Sequence, residues 1–147
     1  MSIRDAAPGD ASRIAELAVQ LGYPCDARQV QGRLEEILAD PSQRVLVADL
    51  LNGGVVGWMQ MFLYQVVQSD PRVEVAALVV DEACRGRGVG KALMSRAEEW
   101  ARLRGCRGVS LRSNVVRQGA HDFYLALGYS IVKTQHAFRK NLPQREE

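Results

Sequence analysis

Cysteine pairs, net charge and long apolar runs are all scarce in this sequence, and each scarcity argues against a class of protein. The three cysteines, Cys25, Cys84 and Cys106, are widely spaced and form no CxxC pair, which argues against a disulfide framework and a zinc site. Lysine and arginine total 19 against 17 for aspartate and glutamate, so we expect no general attraction to nucleic acid or acidic membranes. These features predict a cytoplasmic protein without a bound metal and without a nucleic-acid or membrane partner.

One uncharged stretch, residues 50–69, approaches the length needed to span a bilayer. The turn-forming "NGG" interrupts it early and Gln60, Gln65 and Gln68 follow, so it is typical of the end of one strand, a turn and a second strand. The first residues, "MSIRDAAPGD", are charged by the fourth position and precede no apolar run, which predicts neither a signal nor a transit peptide. A length of 147 residues fits one domain over 1–147.

The apolar spacing predicts an α/β domain with a mixed sheet. A helix follows "PGD" at residues 8–10, and Asp26 with Gln29 forms a capping box for a second helix. In the run "RVEVAALVVD", residues 72–81, the alternation places four apolar side chains on one face and Glu74 on the other, so Glu74 need not be in the core. The predicted order is strand, two helices, three strands, helix, strand, helix and a final strand over 129–138.

The segment "ACRGRGVGKAL", residues 83–93, is a basic, glycine-rich turn that opens a helix from Val89. Its glycines allow close backbone approach, and a helix N-terminus offers unpaired N–H groups, so an anion such as phosphate is the expected guest. A Walker A loop would need glycine where Arg85 stands and serine or threonine where Ala92 stands. Gly86, Gly88 and Gly90 alternate without the longer gap of a dinucleotide fingerprint.

The pattern Arg85-x-x-Gly88-x-Gly90 and the later "AHDFYLALGY", residues 120–129, together resemble the acetyl-CoA-dependent N-acetyltransferases of the GNAT superfamily. The resemblance extends to nearly the whole order of elements and implies a mainly antiparallel sheet flanked by helices. It also implies that backbone N–H groups of the loop bind the pyrophosphate of acetyl-CoA. The alternative is a glycine-rich helix entry with solvated arginines. The cofactor-binding residues implied by the resemblance are Leu78, Val79, Val80, Arg85, Gly86, Arg87, Gly88, Val89, Gly90, Lys91 and Asn114.

The resemblance also implies two catalytic residues. Glu74 lies 11 positions before Arg85, where histone-acetylating members place a general base. The alternative is a solvated strand glutamate or one that only binds a cationic substrate. Tyr124 matches the tyrosine that protonates the departing thiolate in the family, and the alternative is a core aromatic residue. His121 is a further candidate base, and an exposed helix histidine without a catalytic role is the alternative reading.

One departure from the family pattern concerns Arg117, which stands seven residues before Tyr124, where many members have asparagine. Whether Asn114 replaces that asparagine is left open. Cys84 lies beside the loop without a recognisable histidine partner, so we expect direct transfer to the acceptor and no acyl-enzyme.

The acceptor is expected to be a small cationic amine. By resemblance, the acceptor slot is flanked by Tyr23, Asp70 and Glu74. The carboxylates of Asp70 and Glu74 would favour a positively charged acceptor. A peptide or protein acetyltransferase and a non-catalytic acetyl-CoA-binding module are the alternatives. Members of the family often dimerise, which implies a homodimer.

Overall fold

The computed structural model describes residues 1–113 and 118–145. They belong to two compact units, Met1–Arg112 and Ser113–Glu147. None of the described helices has the length and apolar character needed to cross a membrane. In the first unit the strands are β1 (Ser2–Asp5), β2 (Gln43–Leu50), β3 (Gly54–Val66), β4 (Ser69–Val80) and β5 (Val109–Leu111), and the helices are α1 (Ala11–Gln20), α2 (Ala27–Leu38) and α3 (Val89–Leu103).

The five strands form one mixed sheet in the order β1-β2-β3-β4-β5. The first four are antiparallel neighbours, whereas β5 runs parallel to β4 and pairs with it only at Val73–Val75. A parallel pair needs a long crossover, which α3 supplies. Beyond Val75, this edge of β4 has no strand partner in the part of the chain that the structure describes. The α/β fold with a mixed, mainly antiparallel sheet is as predicted.

The predicted helix boundaries agree with local backbone chemistry. The Asp26 carboxylate accepts a hydrogen bond from the Gln29 N–H at 2.8 Å, and the Gln29 amide oxygen accepts one from the Asp26 N–H at 3.1 Å. This reciprocal pair is the capping box expected for α2. Gly105 ends α3 with φ 73°, in the left-handed region that glycine adopts without strain.

The face assignment predicted for β4 is wrong, because the strand contains a bulge. Gln60 pairs with Ala77 and Met61 pairs with Val75, so Ala76 has no opposite residue on β3. One extra residue reverses the alternation of side chains beyond it. Ala77 and Val79 therefore pack in the core with α1 and α2, whereas Val73 and Val75 face the opposite side.

The described part of the second unit contains α4 (Gln118–Ala126), and Gly128 follows the helix with φ 93°. The predicted strand over 129–138 differs from the structure, which has no strand among residues 129–145. Ile131, Val132 and Phe138 are 69%, 86% and 94% exposed. A run with strand-forming residues becomes a strand only when a neighbouring backbone pairs with it.

Candidate active site

The loop between β4 and α3 has the backbone conformation of an anion cradle. Gly86 and Gly88 have φ values of 77° and 83°, and Gly88 is the N-cap residue directly before α3. A β-carbon at either glycine would meet no atom within 4 Å. The glycines are therefore required by the left-handed backbone, and the space above them is open to a ligand.

The N-terminus of α3 is not capped by a side chain of the described residues. Its first N–H groups lack acceptors within the helix and carry the positive end of the helix dipole. Val89 is 4% exposed and packs in the core, so its backbone N–H is the group available to a ligand. Arg87 and Lys91 are exposed beside it. The residues present therefore fit a pyrophosphate.

Arg85 contributes differently from Arg87. Its Nε donates to the carbonyl oxygen of Val80 at 3.3 Å, which ties the side chain back to the end of β4. Val79 is 4% exposed, so only its backbone is available to a ligand, whereas Leu78 and Val80 are half-buried.

A hydrogen-bonded cluster holds the entrance of the loop and was not found from the sequence. The Asp81 carboxylate accepts from the Ala83 N–H at 3.2 Å and from Arg13 Nη2 on α1 at 2.7 Å. These contacts, led by the Ala83 N–H, lower the pKa of Asp81. Gln20 on α1 accepts from the Glu82 N–H at 3.0 Å. No local pattern signals these contacts, because Arg13 and Asp81 are 68 residues apart.

Close packing at Gly57 sets the height of α3 above the sheet. A β-carbon there would lie 3.0 Å from the Val79 carbonyl oxygen and 3.3 Å from Val89 Cγ1. Both distances are tighter than nine in ten real β-carbon contacts, so a side chain at this position would force its neighbours to shift. Gly57 therefore lets the first residue of α3 approach β3.

Glu74 is buried, on a strand where the predicted alternation did not require a core position for it. It is 8% exposed and is the one buried charged residue recorded among the described residues. Because of the bulge at Ala76, it lies on the same face of the sheet as Ala77 and Val79. Its Oε1 accepts from Ser110 Oγ at 3.3 Å, and its Oε2 lies 3.9 Å from Arg112 Nε. The Glu74 carboxylate is therefore largely removed from water and has few polar contacts to compensate for the lost hydration.

Aromatic and basic residues surround Glu74, and sequence reasoning did not single them out. Phe62 pairs with Glu74 across the β3–β4 ladder. Arg72 stacks on the ring of Tyr64, with its guanidinium carbon 4.1 Å from the ring centroid. The Nε of Arg72 also donates to Ser110 Oγ at 2.8 Å. Alternation along β4 could have placed Arg72 on the face of Glu74, but only the sheet pairing adds Phe62 and Ser110.

The other two predicted acceptor residues are not brought to Glu74. Asp70 is exposed and, with Gly105 and Arg107, lines a cavity of about 240 Å³. Four residues along a strand put it about 13 Å from Glu74. Tyr23 is 68% exposed in the connection between α1 and α2.

Tyr124 lies on α4 in the second unit. Its ring meets Phe123 with centroids 5.0 Å apart and Tyr129 with centroids 6.2 Å apart, both edge to face. Its own ring is half-buried. His121 is half-buried on the same helix. Asn114 and Arg117 lie outside the described residues.

The comparison with protein families decides the classification. Residues 12–129 match the model of the acetyltransferase (GNAT) family. The chain belongs to the GNAT family. This membership makes it an acyltransferase and an enzyme of a family that uses acetyl-CoA, and the glycine-rich cradle of α3 lies within the matched range.

Named GNAT relatives are N-acetyltransferases. The chain is 31% identical over 145 residues to the aminoglycoside N(6')-acetyltransferase type 1 of Stenotrophomonas maltophilia, with 96% of this chain and 94% of that protein covered. It is 37% identical over 93 residues to the aminoalkylphosphonate N-acetyltransferase of Salmonella typhimurium, with 63% and 60% covered.

The fold is shared with a solved structure of aminoglycoside N-acetyltransferase AAC(6')-Iy in complex with CoA. The TM-score is 0.82 at 23% identity, with 96% of this chain and 95% of that chain covered. At this identity the likeness concerns the fold. In the described residues of this GNAT chain, no group of three or more histidine, cysteine, aspartate or glutamate side chains is arranged to hold a metal ion.

Proposed function

We propose that this GNAT enzyme transfers the acetyl group of acetyl-CoA to the primary amine of a small molecule by direct attack in a ternary complex. The buried carboxylate of Glu74 is the observation that carries this proposal. Burial of a charged group is unfavourable unless the group is paired, so a buried carboxylate with few partners is a candidate functional group. The named relatives support a small-molecule acceptor, because aminoglycosides and aminoalkylphosphonates are both small amines.

In this proposal, the loop at 85–91 binds the pyrophosphate through backbone N–H groups of Gly86, Gly88 and Val89, with Arg87 and Lys91 adding charge. Leu78, Val79 and Val80 line the cosubstrate along the unpaired edge of β4. No side chain in this set reacts. Their role is to position the thioester for attack.

Glu74 supplies the base. An ammonium group, with an ordinary pKa near 10.4, is not a nucleophile at neutral pH, so Glu74 removes a proton directly or through water. The nitrogen then forms a bond to the thioester carbonyl carbon, and the carbon–sulfur bond breaks. Tyr124 donates a proton to the departing thiolate, and the nitrogen loses its second proton to solvent or base. The products are the N-acetyl amine and CoA.

The test is a thiol-release assay with acetyl-CoA and a panel of amino acids, alkylamines, polyamines, aminoglycosides and a lysine peptide. The masses of the products are determined by mass spectrometry. We expect thiol release with at least one small amine and a product heavier by one acetyl group. A lysine peptide as the best acceptor would instead support a peptide acetyltransferase. Binding of acetyl-CoA without thiol release from any amine would contradict the proposal and favour a binding module. The homodimer and the cytoplasmic location remain predictions.

A further inference from the structure

The carboxylate of Glu74 lies among cationic side chains. Arg112 approaches Oε2 at 3.9 Å, and Arg72 binds the same Ser110 hydroxyl that donates to Oε1. Arg112 therefore approaches Glu74 directly, and Arg72 is linked to it through a single hydroxyl. Two guanidinium groups against one carboxylate leave this part of the sheet face with an excess positive charge.

Within the unit Met1–Arg112, no carboxylate other than that of Glu74 has a recorded contact with either arginine. Asp40 lies three residues before β2, which is separated from β4 by β3. Its carboxylate is already bonded to the Ser42 hydroxyl at 2.7 Å and to the Gln43 amide at 3.2 Å. Asp70 is exposed at the far end of β4, beyond Arg72. A polycationic acceptor would therefore bring its further charges next to two arginines.

We infer that the acceptor of this enzyme is a compact amine that carries its own acidic group, a carboxylate or a phosphonate, a few bonds from the reactive nitrogen. The inference rests on the proposed function, in which Glu74 takes the proton of the acceptor amine. The ammonium group meets Glu74, and the acidic group meets the two arginines, so every charge finds a partner.

The two arginines suit different parts of this task. Arg72 is held by the Tyr64 ring and the Ser110 hydroxyl, so its guanidinium group is fixed in place. Arg112 is 72% exposed at a long distance from Glu74, and such exposed ion pairs are weak. Arg112 can leave Glu74 when the ammonium arrives and turn to the acidic group. Planar guanidinium groups bind carboxylate and phosphonate oxygens in pairs.

The length of the acceptor follows from the distance between the charged groups. The Ser110 hydroxyl bridges Arg72 Nε at 2.8 Å and Glu74 Oε1 at 3.3 Å, so the guanidinium and carboxylate groups are one hydroxyl apart. An amine and an acid separated by two or three carbon atoms suit this short separation. Phe62, opposite Glu74, offers an apolar wall to the linking carbons.

The test compares four acceptors at saturating acetyl-CoA: 2-aminoethylphosphonate, β-alanine, ethylamine and spermidine. Ethylamine has the carbon skeleton of the first two without the acidic group, so the ratio of kcat/KM values isolates that group. We expect at least one acid-bearing amine to exceed ethylamine and spermidine by tenfold or more. The comparison of the first two acceptors shows which acid is preferred.

Variants connect the preference to the arginines. In Arg112→Gln and in Arg72→Gln, we expect the ratio of kcat/KM for the acid-bearing amine to kcat/KM for ethylamine to fall by about tenfold. The fall should come mainly from a higher KM for the acid-bearing amine. Arg112→Lys should restore part of the ratio. Arg107→Gln is the matched control, since this exposed arginine has no recorded contact with Glu74 in the described residues. It should leave the ratio unchanged.

Two failures are distinguishable. Faster turnover of ethylamine or spermidine, or a ratio that neither arginine variant changes, would overturn the inference while the acetyltransferase function stands. Binding of acetyl-CoA without thiol release from any of the four acceptors or from the wider panel would overturn the proposed function itself.

Discussion

At the scale of single residues, the proposed role of Glu74 as base gives its loss a specific pH dependence. Replacement of Glu74 by glutamine removes the proton acceptor but keeps the size and polarity of the side chain. We expect kcat to fall by about 100-fold at pH 7, within the range for loss of a general base. The loss should shrink as pH rises toward the pKa of the acceptor amine, because free amine then forms without help.

The control for this prediction is Glu35→Gln, which changes an exposed glutamate on α2. The pH dependence of kcat in this variant should equal that of the wild type. A Glu74→Gln enzyme whose loss is the same at every pH would remove Glu74 as the base.

Tyr124 is tested by removal of its hydroxyl alone. Tyr124→Phe keeps the edge-to-face contacts with Phe123 and Tyr129. If the hydroxyl protonates the thiolate, kcat should fall by about 10-fold or more while the Kd for acetyl-CoA changes little. Tyr129→Phe, a neighbouring tyrosine that loses the same group, should retain turnover. Equal losses of turnover and affinity in Tyr124→Phe would contradict the role of general acid.

The sequence could predict single residues only where their role is local. The glycines at 86 and 88 were found because a helix entry with a tight turn has a short-range pattern. The burial of Glu74 was missed, since it depends on a bulge that is decided by pairing between β3 and β4. Arg13, which holds Asp81, lies 68 residues away and leaves no local signal.

At the scale of elements, the entry into α3 is the feature on which cosubstrate binding depends. Gly88 and Gly105 flank this helix with φ values of 83° and 73°, and a β-carbon added at either position would meet no atom within 4 Å. Alanine at either position costs about 1 to 2 kcal/mol of backbone strain. Both variants should therefore lose similar stability in urea unfolding.

Only one of the two changes alters the anion cradle. We expect Gly88→Ala to raise the Kd for acetyl-CoA by about tenfold or more in calorimetry, whereas Gly105→Ala keeps the wild-type Kd. Equal affinities in the two variants would show that the left-handed entry of α3 does not serve the cosubstrate.

The elements themselves were largely predictable, because helix spacing, the capping box of α2 and the glycine stops are short-range signals. The face of the sheet to which each strand residue points was not predictable from the sequence. The alternation of β4 was interpreted as continuous, but the bulge at Ala76 reverses it. The last predicted strand failed for a related reason, since residues 129–145 have strand-forming side chains without a paired backbone.

At the scale of the whole molecule, an ion pair between β1 and the turn before α1 makes stability depend on pH. Arg4 binds both carboxylate oxygens of Asp10 at 2.8 and 2.9 Å, and the Ala7 N–H donates to one of them at 2.8 Å. These contacts, led by the Arg4 hydrogen bonds, lower the pKa of Asp10. Its stabilising effect is therefore complete above the ordinary aspartate value near 3.9 and is lost as pH falls through the lowered pKa.

We expect Asp10→Asn to lower the free energy of unfolding at pH 7 by about 1.5 to 3 kcal/mol, the range for hydrogen bonds to charged groups. The difference from the wild type should narrow below pH 4, as the wild-type carboxylate becomes protonated. Glu16→Gln, which breaks an exposed pair with Arg13, should change stability by less than about 1 kcal/mol. A constant Asp10→Asn difference between pH 7 and pH 3 would contradict the role of the charge.

The most direct test of the account is a calorimetric comparison of acetyl-CoA with S-acetylpantetheine, which keeps the thioester and lacks the pyrophosphate and nucleotide. We expect the wild-type protein to bind acetyl-CoA at least 100-fold more tightly than S-acetylpantetheine, and Gly88→Ala to reduce this difference in affinity. Equal affinity for the two thioesters, or no binding of acetyl-CoA, would contradict the assignment of residues 85–91 as the pyrophosphate cradle.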